Sequence, residues 1–378
     1  MRGTYVPPVP VSEPRVVSAD GSPVHVEVFG PGDAPAVVLA HGWTCSIAFW
    51  AAQIRALAPD HRVIAYDQRG HGRSPAPLGP LGYSPKALAD DLEAVLEATL
   101  APGEPAVLAG HSMGGMTFMA AAERPAFREH AAAVLLCSTG PARLVGEATV
   151  LPLPKSPVRR RLTGAVLGAR APLGPVTPAG KKVLKYGVMG PGASPEQVDA
   201  CARIVHACPT PVRYGWSRVL DAFDEEAGLR AIEAPTAVVV GSADKLTPPV
   251  HARLMDESLP HSLGLTTLPG LGHMTPVEDP AAVTGLIREL VTTYVVTEEA
   301  APAGASEAAA SDTATTAMSD AAASAASAVS DAAASAASAA ATTATAAPSD
   351  AATTATSATP GTATSSAKRA AKTAKESA

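Results

Sequence analysis

Pro105-Ala-Val-Leu-Ala-Gly110-His-Ser112-Met-Gly114-Gly115 is the stretch whose reading decides the fold. Val107, Leu108 and Ala109 read as the end of a buried strand, and Met116 to Glu123 as a helix that Pro125 stops. Between them, Gly110-His111-Ser112-Met113-Gly114 fits G-x-S-x-G, so Ser112 stands at a strand-to-helix corner. A corner that tight strains the serine backbone, and a Cβ at Gly110 or Gly114 would collide with the neighbouring strand or helix. The hydroxyl is then thrust out above the sheet. The N–H of Met113 lies at a helix N-terminus, where backbone donors favour a developing negative oxygen.

The motif alone is a weak signal in a chain with 31 glycines, so its surroundings must carry the argument. Upstream, Arg15 to Ala19 and Val24 to Phe29 alternate around Asp20-Gly21-Ser22-Pro23 and predict a hairpin. A continuous apolar strand, Ala36 to Ala40, ends at His41-Gly42-Trp43. A helix around Ala48 to Leu57, a strand at Arg62 to Tyr66 and the loop Asp67 to Ser74 follow. Ser84-Pro85 opens a helix through Leu100, with serine as N-cap and proline at the first helical position. Downstream of Ser112 comes a strand at Ala133 to Cys137.

The alternation breaks at Gly140. Residues 140–232 offer helical stretches, Pro195 to His206 and Arg218 to Arg230, and no convincing strand. It resumes with a strand at Thr236 to Val240, a helix at Pro249 to Ser258, a strand at Gly264 to Leu268 and a helix at Pro280 to Tyr294. Alternating strands and helices demand right-handed crossovers and a mainly parallel sheet covered on both faces. The expected architecture is α/β, with a core at 13–139 and 233–296 and a helical cap at 140–232.

A serine hydroxyl is a weak nucleophile and needs an adjacent base, which needs an acid to fix its tautomer. Val-Val-Val-Gly-Ser-Ala-Asp puts Asp244 just past a strand, and Pro-Gly-Leu-Gly-His puts His273 on the loop leaving the last strand. Either residue alone would more often be an ordinary surface group; all three in the order Ser, Asp, His point to a catalytic triad. An oxyanion hole needs two N–H donors, and Trp43, after the earlier strand, partners Met113. His111 and Cys45 are close enough in sequence to line a substrate pocket, although packing is the default for both. Trp50 and Met116 are expected beneath the site. The Asp67 to Ser74 loop reads as structural, with Asp67 and Arg69 satisfying local backbone and each other.

With these pieces in place, the chain resembles the α/β-hydrolase superfamily from about 13 to 296. The resemblance rests on His41-Gly42-Trp43, Asp67-Gln68-Arg69-Gly70-His71-Gly72-Arg73-Ser74, Gly110-His111-Ser112-Met113-Gly114-Gly115, Asp244 and Gly272-His273. It implies an eight-stranded core with a helical cap, Ser112 as nucleophile, Asp244 as acid, His273 as base, and Trp43 and Met113 as oxyanion donors. Haloalkane dehalogenases and epoxide hydrolases of that superfamily carry an aspartate nucleophile, so Ser112 argues against those chemistries. Gly-His-Ser-Met-Gly-Gly is similar to esterases, monoacylglycerol-lipase-like enzymes and cofactor-free haloperoxidase-like enzymes. Carbon-carbon bond hydrolases are similar too, though many have asparagine where His111 stands. The expected activity is cleavage of a carboxylic ester with a small or medium apolar acyl group through an acyl-enzyme. A perhydrolase or carbon-carbon hydrolase, and a ligand-binding module without activity, are the alternatives.

Composition bounds the rest. The chain has 378 residues, 47% hydrophobic and 17% charged, with net charge −6. After Tyr294 there is no aromatic residue, and Ala, Ser and Thr dominate, so residues 297–378 are expected to be a disordered tail. Eight acidic and four basic residues give that tail −4, leaving −2 for the rest. Ser319-Asp-Ala-Ala-Ala-Ser-Ala-Ala-Ser-Ala recurs eleven residues later at Ser330, a period that suits transient helices. Lys368, Arg369, Lys372 and Lys375 make too small a footprint for nucleic acid, and none is expected as a partner. The N-terminus lacks the apolar core of a secretory signal, and no strongly apolar run of spanning length exists. Four cysteines in so long a chain make no disulfide framework, and the expected location is cytoplasmic. Ten histidines show no metal spacing, and no nucleotide fingerprint follows the first strand; neither metal nor organic cofactor is expected. From Gly140 to Ala200, nine basic residues face three acidic ones, a net +6 that suits a solvated surface or loose association with anionic lipid.

Overall fold

Residues 37 to 40 sort themselves between two layers. Val37 and Leu39 pack with Ile54, Leu57, Ile287 and Val291 on one side, while Val38 and Ala40 pack with Leu92, Leu96, Phe118 and Met255 on the other. A strand with both faces covered must be apolar at every position, and all five residues of Ala36–Ala40 are buried. Full burial of each such Val or Leu contributes roughly 1.5–3 kcal/mol. Few substitutions in this strand are affordable against a net stability of about 5–15 kcal/mol.

The computed structural model describes residues 3–296, and the expected tail at 297–378 lies outside the described residues. Eight strands form one sheet: β1 (Arg15–Val17), β2 (Pro23–Phe29), β3 (Ala36–Ala40), β4 (Arg62–Asp67), β5 (Ala106–His111), β6 (Ala131–Cys137), β7 (Thr236–Gly241) and β8 (Ser262–Leu268). Their order is β1-β2-β4-β3-β5-β6-β7-β8. β1 with β2 and β2 with β4 are antiparallel, and the other pairs are parallel. The chain leaves β3 for β4 on one side, then crosses back to β5 on the other. That reversal opens a crevice at the carboxyl ends of β3 and β5, the place where open α/β sheets bind ligands. Trp43 and Ser112 follow those two strand ends.

Between β6 and β7 run six helices and no strand among the described residues: Leu144–Glu147, Pro157–Leu167, Pro178–Val188, Pro195–Ala207, Thr210–Asp221 and Glu226–Arg230. The single helix expected over Arg218 to Arg230 is two helices. Glu225 N–H donates to Pro141 O at 2.8 Å, and Ala142 bridges Asp224, so the break ties the end of the insertion to its beginning. Six of the insertion's cations are held in ion pairs: Arg143 and Arg230 with Glu226, Lys155 with Glu147, Arg160 with Asp221, and Lys181 and Arg203 with Asp199.

Two further corrections concern the corner. The helix after Ser112 begins at Met113 and ends at Ala121. Its early start comes from packing, which overrides the poor helix propensity of Gly114 and Gly115. Pro125 opens a new helix, Pro125–His130, as its first residue. Ser84 accepts from Ala87 N–H at 3.1 Å and caps the helix Pro85–Thr99 as expected. No helix among the described residues is long and apolar enough to cross a membrane.

Candidate active site

Ser112 sits at φ 51°, ψ −116°, a conformation that costs a non-glycine residue on the order of 1–3 kcal/mol. Both ends of its peptide are held. Its N–H donates to Cys137 O at 2.9 Å, and its carbonyl accepts from the Thr139 hydroxyl at 2.7 Å. The flanking glycines are steric necessities: a Cβ at Gly114 would come within 2.1 Å of Ala40 O, and one at Gly110 within 2.7 Å of Gly114 C. A third glycine matters equally. A Cβ at Gly42 would lie 3.0 Å from Ser112 Cβ, so only glycine lets the loop after β3 come against the serine. That close approach brings the Trp43 backbone beside the corner, while the Trp43 indole donates to Arg213 O at 3.1 Å.

Asp244 and His273 meet on the loops after β7 and β8, with His273 Nδ1 and Asp244 Oδ2 2.8 Å apart. Asp244 Oδ1 also accepts from the N–H groups of Leu246 (2.9 Å) and Thr247 (3.0 Å). The Thr247 hydroxyl lies 2.9 Å from Asp244 Oδ2 and 3.1 Å from His273 Nδ1. Both side chains of the pair are almost fully buried, which strengthens their interaction. Thr247 was not singled out from the sequence, although Asp244-Lys-Leu-Thr247 has the spacing of an aspartate that caps its own turn.

The histidine loop is fixed by a residue the sequence did not reveal. The Glu278 carboxylate accepts from Gly190 N–H at 2.7 Å and from Gly272 and Met274 N–H at 3.1 Å. His273 N–H itself donates to Val188 O at 2.9 Å. Burial pushes the Glu278 carboxyl up, against the pull of the three N–H donors.

His111, Ser112, Thr247 and His273 share the wall of one cavity of about 460 Å³, within the usual range for small-molecule sites. Trp43 and Met116 line it as well. Among the described residues Ser112 and His273 share this wall without a direct side-chain hydrogen bond, which is common before substrate binds. His111 Nε2 lies 2.8 Å from His273 O, and its ring centroid is 4.8 Å from that of His273. Burial holds the His111 ring well below its ordinary 6.5.

Other expectations need correction. Cys45 does not line the cavity; it is 3% exposed in the core with Ile47, Phe49 and Trp50, where burial pushes its thiol far up. Arg69 pairs with Asp91 (2.7 Å) and Asp20 (2.9 Å) rather than with Asp67. Asp67 instead accepts from the N–H groups of Ile47 and Arg73, each at 2.8 Å. No group of His, Cys, Asp and Glu among the described residues has the arrangement of a metal site.

The family model described as alpha/beta hydrolase family matches residues 37–286. The chain belongs to that family. Among curated alpha/beta hydrolase relatives, a non-heme chloroperoxidase of Burkholderia pyrrocinia is 32% identical over 266 residues, 69% of this chain and 92% of that protein. A bifunctional esterase/perhydrolase of Acinetobacter calcoaceticus is 28% identical over 284 residues, 71% of this chain and 95% of that one. Among solved structures, a thermophilic esterase from Thermogutta terrifontis is 26% identical with a TM-score of 0.59, over 75% of this hydrolase and 98% of that chain.

Above the sheet ends, the wall of the cavity belongs to the insertion, through Leu144, Val145, Val166, Leu167, Val205 and Leu220. All are aliphatic. An alpha/beta hydrolase with such a roof presents apolar surface to whatever lies over Ser112.

Proposed function

We propose that this alpha/beta hydrolase is a serine esterase that cleaves a carboxylic ester of a small or medium apolar acyl group through Ser112, His273 and Asp244. One observation carries the reading: a buried imidazole–carboxylate pair 2.8 Å apart opens onto the same cavity as a serine strained at a strand-to-helix corner. His273 Nε2 takes the Ser112 proton as Oγ attacks the ester carbon. The oxyanion then accepts from the N–H groups of Trp43 and Met113, a stabilisation typically worth about a hundredfold or more per donor. The intermediate collapses, His273 gives its proton to the leaving alcohol, and the acyl group stays on Ser112. Water attacks next, His273 takes one of its protons and returns it to Ser112, and the acid leaves. Asp244 keeps the Nδ1–H tautomer and steadies the imidazolium.

Ser112→Ala is expected to lower turnover of p-nitrophenyl butyrate by about 10⁴-fold or more with an unchanged circular dichroism spectrum. Turnover at the wild-type rate would exclude the acyl-enzyme. A second reading has support in the 28% identical esterase/perhydrolase: hydrogen peroxide replaces water in the second half-reaction and the product is a peracid. Peracid formation measured beside hydrolysis on one ester tells the two apart.

A further inference from the structure

Three arginines are almost fully buried, and they have three different surroundings. Arg69, 2% exposed, has two carboxylates. Arg159, 7% exposed, donates to the carbonyls of Leu153 and Gly146 inside the insertion and stands away from the cavity. Arg213, 6% exposed, lines the cavity. Its Nη2 donates to Ala169 O at 3.0 Å and to Ala171 O, both residues of the same cavity wall. Nε and Nη1 have no acceptor, and no carboxylate pairs with Arg213, among the described residues.

Arg213 is also the sole Asp, Glu, Lys or Arg side chain on that wall among the described residues. A buried guanidinium cannot shed its charge, and two carbonyl dipoles satisfy only part of it. A cation held in a mostly apolar cavity, with Nε–H and Nη1–H to spare, matches an anionic group well. Both forks of a guanidinium share Nη2, whose N–H groups already meet Ala169 O and Ala171 O, so a carboxylate oxygen takes a single charge-assisted hydrogen bond from Nε–H or from Nη1–H.

On the esterase reading above, we propose that Arg213 binds a carboxylate carried by the substrate. The preferred substrates are then esters with an apolar arm that ends in an anionic carboxylate, such as half-esters of dicarboxylic acids. The aliphatic roof takes the methylene chain, Ser112 takes the ester end, and the guanidinium takes the far end.

The test compares monomethyl half-esters from succinate to sebacate with the matching dimethyl diesters, using the full chain at neutral pH. At one chain length the wild type should favour the half-ester in kcat/KM by about tenfold to a hundredfold, the range for hydrogen bonds to a charged group. Arg213→Met should bring that ratio to one or below, and Arg213→Lys should keep part of it. Each ratio is taken on a single preparation, so it does not depend on how much of a variant folds. A diester preference at every length in the wild type, or a half-ester preference that survives Arg213→Met, overturns the assignment of Arg213 alone. Lack of Ser112-dependent turnover of any ester, including p-nitrophenyl butyrate, overturns the esterase reading and this one with it.

Discussion

The floor and the roof of the cavity are built on different principles. On the floor, the peptide of Ser112, the carboxylate of Asp244 and the loop of His273 are each held by two or more named hydrogen bonds. The roof is largely apolar, and its one charge among the described residues, Arg213, hangs from two carbonyls. Chemistry needs atoms held to a fraction of an ångström, whereas an apolar wall needs only shape. Which reaction occurs is a property of the floor. Which molecule undergoes it is a property of the roof.

The sharpest way to break that division is to damage the floor without emptying it. Asp244→Asn keeps the volume but permits the wrong imidazole tautomer, and kcat is expected to fall by about 10³–10⁴-fold, with KM moving far less. A change in KM alone would mean that Asp244 contributes to binding rather than to proton transfer.

Acid strikes the floor next, through histidines that must stay neutral. His41 accepts Gln68 N–H at 3.0 Å, and His71 accepts Thr44 N–H at 3.1 Å, so a second ring proton would face a donor. Burial first, and for His41 the neighbouring His71, lower their values from 6.5 to about 3 and about 4; His111 is lowered too. A lowered folded value means that the unfolded chain binds the extra protons. The stabilisation is therefore complete above about pH 6.5 and is lost as pH falls through the folded values. Each histidine removes about 1.4 kcal/mol per pH unit well below 6.5, while Glu278 and Asp91, raised by burial, work in the opposite direction. Urea midpoints should fall between pH 7.5 and 5.5. Midpoints that rise over that window would show that the carboxyls outweigh the rings.

Glu278 gives a smaller effect on the same face. In Glu278→Gln one amide oxygen still accepts, but the amide NH₂ must confront an N–H of Gly190, Gly272 or Met274. A loss of about 1–3 kcal/mol in stability and a tenfold or greater fall in kcat are expected. Restored kcat at full stability loss would separate the clamp from the placement of His273.

How much of this was legible in the sequence follows the same division. Ser112, Asp244 and His273 could be found because chemistry dictates residue types at successive strand ends, in a fixed order. Gly110 and Gly114 could be found because a corner dictates small residues. Thr139, Thr247 and Glu278 escaped because a hydrogen-bond partner may be any acceptor or donor that the fold brings near. The helix starts earlier than expected, at Met113, because glycines argue locally against a helix, whereas the close approach of Gly114 to Ala40 and of Gly115 to Thr139 is a tertiary contact. Summed charge did not point to the cavity. The net +6 lies between Gly140 and Ala200, where several cations are ion-paired, whereas the cation on the cavity is Arg213, outside that window.

The roof should yield the smallest and most selective effects. Leu220 and Val166 both line the cavity and neither touches the Asp244–His273 pair by hydrogen bond. Leu220→Ala enlarges the apolar wall and should move the preferred acyl length upward, whereas Val166→Phe should move it downward. One or two methylenes in an apolar pocket are worth about 1–3 kcal/mol, so selectivity between neighbouring lengths should shift by roughly tenfold. The pH profile of kcat should not follow, because the groups that set it stand on the floor. Rates over p-nitrophenyl esters from acetate to decanoate, each measured across pH, read both at once. An unmoved length optimum together with a displaced pH profile would mean that the insertion acts on His273 through Val188 and Gly190, and the two faces would have to be treated as one machine.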